Sequence, residues 1–585
     1  MKTRLILLGA MALWIPTACD DGATPEGDGE FENALSGKAD GGFSPCLLDG
    51  TVLWLNDATT DLAALKSAGV HMQAAKNLIV FKAGDDGALG TEDDQVFRSA
   101  TDVDNVSYVG PKAMAQLTRV HAERCVGPYP AAQIIMSPQL YDDSHIKAAE
   151  ALIDGASSSI DVAMYSYRVS SVTDALKRAV ERGVAVRMIL ESAGDDRKNP
   201  EKSTSGRVEG AGIDVRYVNR IMHHKFLIVD GPQDSLVDAL GTTLLTGSAN
   251  LSTSAATRYD ENTAILSGVP ELALRFQQEF NLLWANSRDF VWVDTFSPVY
   301  TMAIPDAVVL DSPYVDVAFT SANFRTYESA TFGPTFSVVR GRNAVSDTIV
   351  DLIWGAKDSI WIASGHLRSR PVAEALLQRL LLEPELDVRV YLDGQEYISA
   401  GTQNYQEAEL QECLDKAVGS STRTEDCYDK GFYYSYELHI AGADLRFKHY
   451  SYRWHYSYAP QMHHKYVILD GERVGTGSYN LSDNAEHNTM ENFVVYEGAQ
   501  FPALVDDFVR NHEALSQTGI EAKLYDTLID DIESGSDPVP IVYDAMALTW
   551  PQVTTLKELI RNTCSDIDTE DFRRHPEAHL TCTRK

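Results

Sequence analysis

Met222-His223-His224-Lys225-Phe226-Leu227-Ile228-Val229-Asp230-Gly231 is a stretch that the chain writes twice, the second time as Met462-His463-His464-Lys465-Tyr466-Val467-Ile468-Leu469-Asp470-Gly471. Each copy is followed by Gly-Ser-x-Asn-Leu-Ser, at Gly247 to Ser252 and at Gly477 to Ser482. A Glu-Asn pair comes next, Glu261-Asn262 standing 13 positions after Ser248 and Glu491-Asn492 13 after Ser478. Agreement at His, Lys, Asp, Ser, Asn and Glu marks an internal repeat, and a repeat sets the architecture. His223 and Lys225 are two apart, so on a strand both point to one face. The apolar run from Phe226 to Val229 suits a strand buried on both sides. One copy alone reads equally well as a core histidine and a lysine snorkelling to the surface. Two copies with the same companions point to an anion site, because burying unpaired charge is costly.

Working outward, the flanks repeat as well. Residues 149–156 read as helix, 159–165 as strand, 172–182 as helix and 184–190 as buried strand, with 211–217 a further strand before the first motif. The second copy has the same order: helix 349–356, strand 359–363, helix 372–382, strand 388–392 and strand 441–447. Strands alternating with helices predict an α/β layered domain with a mostly parallel sheet.

His-x-Lys-x-x-x-x-Asp written twice with Gly-Ser-x-Asn downstream resembles the phospholipase D superfamily, over residues 134–515. The resemblance implies two α/β halves related by a pseudo-twofold, with both motifs meeting at one site on their interface. It implies that His223 attacks phosphorus to give a phosphohistidine. His463 would then protonate the departing alkoxide and later activate the water or alcohol that releases the intermediate. Lys225, Lys465, Asn250 and Asn480 are expected to bind the non-bridging oxygens. Ser248 and Ser478 either donate to those oxygens or shape the turn. Glu261 and Glu491 are expected to fix the tautomer of the histidines through the other ring nitrogen. Asp230 and Asp470 are expected to strut the site from strand ends, and His224 and His464 to be core groups. No metal or other cofactor is called for, since the lysines supply the positive field.

The repeats are not equal. His223 and Ser248 lie 25 positions apart, His463 and Ser478 only 15. Ten further residues are inserted between Leu445 and His463, where Tyr450, Tyr452, Trp454, Tyr456 and Tyr458 alternate. With Phe432, Tyr433, Tyr434 and Tyr436 upstream, they read as a long hairpin with a packed aromatic face, or as a wall of the substrate cleft.

With 585 residues, 44% of them hydrophobic, the chain has material for several domains. Its 84 acidic and 50 basic residues give a net charge of −34, which disfavours a long polyanion as partner. Lys2 and Arg4, the apolar residues 5–15 and the small pair Thr17-Ala18 before Cys19 form a targeting segment over 1–18. It resembles a bacterial lipoprotein signal with Cys19 as the lipidated residue, Pro16 departing from the usual leucine; plain secretion is the alternative. Residues 19–44 are acidic and Gly-rich, as in a flexible tether. The remaining cysteines fall into local pairs, Cys46 with Cys125, Cys413 with Cys427 and Cys564 with Cys582. Disulfides are expected of them in an exported chain, although six cysteines formally allow 15 connectivities.

Residues 45–126 resemble a duplicated helix-hairpin-helix module, with turns at Ala68-Gly69-Val70 and Tyr108-Val109-Gly110. The acidic residues 84–94 between the hairpins read as a solvated loop rather than a calcium site. The expected organisation is then a small all-α domain, a first phospholipase D-like half at 134–290, a connector at 291–340, a second half at 341–515 and an extension at 516–585. The chain reads as an exported, monomeric phosphodiesterase with an internal pseudo-dimer, acting on phospholipid at a membrane surface. The alternatives are a metal-independent nuclease of the same superfamily, a phosphatidyl transferase, and a non-enzymatic surface protein.

Overall fold

The computed structural model describes residues 42–290, 304–396, 400–448 and 461–516 apart from 311, 332, 429 and 430, together with isolated positions elsewhere. The targeting segment, nearly all of the tether, the aromatic alternation at 450–458 and the Cys564–Cys582 pair lie outside the described residues.

In chain order the first half supplies β1 (Ala131–Ser137), β2 (Ser159–Met164), β3 (Ala185–Leu190), β4 (Asp214–Tyr217), β5 (Ile221–Met222), β6 (Lys225–Val229), β7 (Thr243–Gly247), β8 (Glu261–Ser267) and β9 (Arg288–Asp289). There follow β10 (Val315–Phe319), the hairpin β11 (Phe324–Ser329) and β12 (Gly333–Val338), then β13 (Ser359–Ser364), β14 (Leu367–Arg368) and β15 (Asp387–Asp393). The last are β16 (Asp444–Lys448), β17 (Lys465–Leu469), β18 (Arg473–Gly477), β19 (Leu481–Ser482), β20 (Thr489–Met490) and β21 (Asn492–Glu497). One sheet runs β1-β8-β7-β6-β2-β3-β4-β9 and the other β10-β21-β18-β17-β13-β15-β16. Strand for strand the orders coincide, with β9 the one addition. The repeat in the sequence is a repeat in space.

Two expectations need correction. Only the β2-β3-β4 and β13-β15-β16 ladders are parallel, and the other pairings in both sheets are antiparallel. Parallel neighbours need a crossover, which the helices before the His motifs provide; after the motifs the chain turns straight back. The connector at 291–340, in turn, is not wholly separate from the second half: its β10 pairs with β21 as the edge strand of the second sheet, the place β1 holds in the first.

Both motif strands are buried on two faces. Phe226 and Ile228 enter the core shared by the halves, while Leu227 and Val229 enter the outer core of the first half. Tyr466 and Ile468 join the shared core in the same way, and Val467 and Leu469 the second outer core. Each such side chain contributes roughly 1.5–3 kcal/mol through burial. The shared core also holds Phe276 and Phe280 of helix Pro270–Ala285, and Phe508 of helix Pro502–Ser516.

Helices Leu62–Ser67 and Met72–Lys82 meet at Gly69, which has a φ of +80°. Ala100–Asn105 and Pro111–Thr118 meet through Tyr108, also left-handed, so both helical hairpins are present. The ten residues extra to the first motif have a structural use. They contain the short helix Leu236–Leu240, against which helix Pro45–Asn56 packs through Leu53. Asp57 seals the contact by accepting hydrogen bonds from Leu236 N and Ser235 Oγ at 3.0 and 2.9 Å. In the acidic loop, Asp93 accepts from the N–H groups of Asp85 and Asp86, so its carboxylate caps the loop's own turn. Disulfides join Cys46 to Cys125 and Cys413 to Cys427.

Candidate active site

Each His motif leaves its sheet by a short stretch that docks on the other half. β5 pairs with β20, Met222 opposite Met490, and His223 N–H donates to Met490 O at 3.1 Å. Reciprocally, Asp260 bridges Met462, and His463 N–H donates to Asp260 O at 3.0 Å. The residue after each acceptor is the glutamate of the downstream pair. Glu491 therefore reaches His223 Nδ1 at 2.9 Å, and Glu261 reaches His463 Nδ1 at 2.7 Å. The two dyads are crossed: each half's carboxylate holds the other half's histidine.

Lys225 and Lys465 lie beneath them, almost wholly buried, and donate to His223 O and His463 O at 2.6 and 2.8 Å. Both imidazoles and both ammonium groups are within electrostatic reach of one another. Burial pulls Lys225 down to about 7 and Lys465 to about 8. It pulls His223 down to about 4, against the attraction of Glu491. His463 is held well below the ordinary histidine value by burial and then by Lys465 and Lys225. The carboxylates diverge. Burial lifts Glu261 to about 8. For Glu491 burial also works upward, but His223 and Lys225 outweigh it and keep that group below the usual glutamate value.

Asn250 Oδ1 accepts from Ser166 N–H at 3.1 Å, whereas the equivalent Asn480 Oδ1 is buried and accepts nothing among the described residues. Ser248 and Ser478 have no exposure, and their hydroxyls accept from the N–H groups of Asn262 and Asn492. Of the two readings of these serines, that geometry favours shaping the turn over touching a ligand. Asp230 and Asp470 sit at the far strand ends with φ of 53° and 55°. Asp230 accepts from Ser157, Ser158 and Ser159, and Asp470 from Lys357, Asp358 and Ser359. They tie the start of β2 and β13 to the motif strands. His224 bonds Glu279 and Asn492, and His464 bonds Asn262, so the middle histidines are buried rivets between the halves.

Other groups went unnoticed in the sequence. Tyr165 lies edge-on to His223, with ring centroids 4.5 Å apart, and Lys225 Nζ is 5.2 Å from its ring. Glu191 and Asp393 accept from Met222 and Met462 N–H at 2.6 and 2.8 Å, orienting the motifs at their first residue. Their signal was available, as they hold equivalent places at the ends of β3 and β15, Glu191 just after Leu190 and Asp393 just after Leu392. Lys448 and Asp260 form a fully buried ion pair joining the halves. Of the aromatic residues upstream of the second motif, Tyr434 is in the core with Phe432 packed against it, while Tyr433 is half-buried and lies against the Arg368 guanidinium.

A family model described as a cardiolipin synthase, phospholipase D-like domain, matches residues 150–284 and 349–513, together half of the chain. With two intact motifs meeting at one centre, the chain belongs to the phospholipase D superfamily. It is 31% identical over 134 residues to the mitochondrial cardiolipin hydrolase of Chlamydomonas reinhardtii, covering 23% of this chain and 54% of that protein. Identity to the Xenopus tropicalis mitochondrial cardiolipin hydrolase is 30% over 164 residues, covering 27% and 71%. The chain thus spans about half the length of the first of these relatives. Among solved structures, a phospholipase D family member, Nuc from Salmonella typhimurium, aligns at 28% identity over 27% of this chain and 97% of its own, with a TM-score of 0.23.

Proposed function

We propose that the protein is a phosphodiesterase of the phospholipase D type that hydrolyses phospholipid to phosphatidic acid and a free head group. The observation that carries this reading is the pair of crossed dyads, His223 with Glu491 and His463 with Glu261, above two buried lysines. In-line displacement at phosphorus needs a nucleophile and a leaving-group acid on opposite sides, and two histidines related by a pseudo-twofold supply them.

The unequal carboxylates support a division of labour. Ionised Glu491 accepts the Nδ1 proton of His223, which leaves Nε2 as a lone pair aimed at phosphorus. Glu261, holding its proton up to about 8, donates to His463 Nδ1 and so places the ring proton on Nε2; as the leaving oxygen takes that proton, the proton of Glu261 passes to Nδ1 and the ring stays neutral. His223 Nε2 bonds to phosphorus as the bond to the head-group oxygen breaks. His463 Nε2 then takes a proton from water while Nδ1 returns its own to Glu261, and the hydroxide displaces His223 and restores the resting state. Lys225 and Lys465 face the charge that builds on the non-bridging oxygens. We place this activity outside the cytoplasm, at a membrane surface, on the strength of the N-terminal segment. Attachment is proposed to run through Cys19, which follows the apolar N-terminal run.

The paired helical hairpins favour one second reading, cleavage of nucleic acid by the same chemistry. Purified protein offered phosphatidylcholine in mixed micelles and single-stranded DNA in separate reactions, both with chelator, decides between them. Choline release with intact DNA is the expected result; cut DNA with no choline would overturn the lipid reading.

A further inference from the structure

The two halves are not equivalent beside their histidines. β13 and β17 pair antiparallel with Ser364 opposite Lys465, and Gly365 N–H donates to His464 O at 3.2 Å. Continuing that register brings His366 alongside His463. The approach depends on Gly365, since a Cβ there would sit 2.8 Å from Met462 O. In the first half the same step puts Ser166 beside His223. His366 Nδ1 bonds Glu396 Oε1 at 3.0 Å, and the ring is 28% exposed. Glu396, nearly inaccessible, also accepts from Arg368, whose Nη2 lies 2.6 Å from the same Oε1, whose Nε reaches both carboxylate oxygens, and whose guanidinium lies 4.3 Å over the Tyr433 ring. The position equivalent to Glu396, four residues beyond the end of β3, is Gly194. The cluster therefore belongs to the second half alone.

With Arg368 bonded to both of its oxygens, Glu396 is kept as a carboxylate, so Nδ1 of His366 must donate. A neutral imidazole then presents Nε2 as an acceptor, and that atom hydrogen-bonds nothing among the described residues. The spot lies on the His463 side of phosphorus, where the departing alcohol stands. We propose that His366, oriented by Glu396, is a specificity residue whose Nε2 accepts a hydrogen bond from a hydroxyl of the head group, so that polyol head groups such as glycerol are preferred to head groups without a free hydroxyl. This rests on the phosphodiesterase reading above and names the substrate class within it.

The test is internal competition. Phosphatidylglycerol and phosphatidylcholine at equal amounts in one mixed micelle are offered to the full-length protein, and released glycerol and choline are both measured. Sharing one interface removes the effect of the protein's own charge on surface binding. The wild type should favour glycerol. In His366→Phe the ratio of glycerol to choline should fall about tenfold, the worth of one hydrogen bond. His366→Gln, which keeps an acceptor in place, should recover part of the preference, and thermal melts of both variants check that they fold. An unchanged ratio in folded His366→Phe overturns the inference, and so does equal loss of both products in both folded variants. Wild-type protein that releases choline and glycerol without preference also overturns it while leaving the phosphodiesterase reading intact. Release of neither would sink that reading and this inference together.

Discussion

Glu491 hydrogen-bonds Nδ1 of His223 although 268 positions separate them along the chain. The carboxylate comes from one α/β half and the imidazole from the other, and the same exchange occurs between Glu261 and His463. Both dyads therefore exist only where the two halves meet.

The dyad can be measured as a unit. Glu491→Ala should lower kcat by about 10²–10⁴-fold, since His223 loses the group that sets its tautomer. The double variant His223→Ala/Glu491→Ala should be no slower than His223→Ala alone. Additive losses would mean that the two act separately.

Division of labour between the histidines predicts a leaving-group effect. With a p-nitrophenyl phosphodiester, whose leaving group needs no acid, His463→Ala should still give a burst of p-nitrophenol and then stall. Peptide mapping should find the phosphoryl adduct on His223. A burst in His223→Ala instead would reverse the assignment.

Four groups give the pH profile its shape. Below about 4 His223 takes up a proton and cannot attack, so kcat/KM should rise through that value. Above about 7 to 8 Lys225 and Lys465 lose charge and Glu261 loses its proton, so kcat/KM should fall. A bell with its plateau between these limbs is expected from rates measured from about pH 3.5 to about pH 9.5. A rate still climbing beyond about pH 9 contradicts it.

Asp230 should matter for stability and little for chemistry. Burial raises its pKa, but the N–H and hydroxyl donors of Ser157, Ser158 and Ser159 outweigh that and leave it below the usual carboxylate value. Asp230→Asn tolerates the same left-handed backbone and removes only the charged acceptor. It should cost about 1–3 kcal/mol at neutral pH, with kcat of the folded enzyme within about twofold. Because the folded pKa is depressed, this stabilisation is present above the unfolded value and is lost as pH falls through the folded one. The Tm gap between variant and wild type should therefore close in acid, and a gap that widens there would rule the account out.

How much of this was legible in the sequence depends on where each signal resides. His223, Lys225 and Asp230 recur with their spacing intact, and spacing along one strand survives translation into space. The two sheets followed from the repeated flanks. The crossing of Glu261 and Glu491 was not legible, because a repeat says which residues correspond and not which half each one serves. Strand direction was misjudged because alternation before the motif was extended to strands after it, where short connections enforce antiparallel pairing. β10 was missed because Val315-Asp316-Val317-Ala318-Phe319 is a brief run in an irregular stretch, and only its pairing with β21 identifies it. His366 and Glu396 have no counterpart in the first half, so a comparison of the two repeats passes over them.

The exchanged carboxylates also make the enzyme a two-key lock. A chain severed between its halves would yield one fragment with His223 and another with Glu491, each inert by itself. Turnover on mixing would then report that the fragments had found each other, and the protein could serve as a sensor for whatever two partners are fused to them.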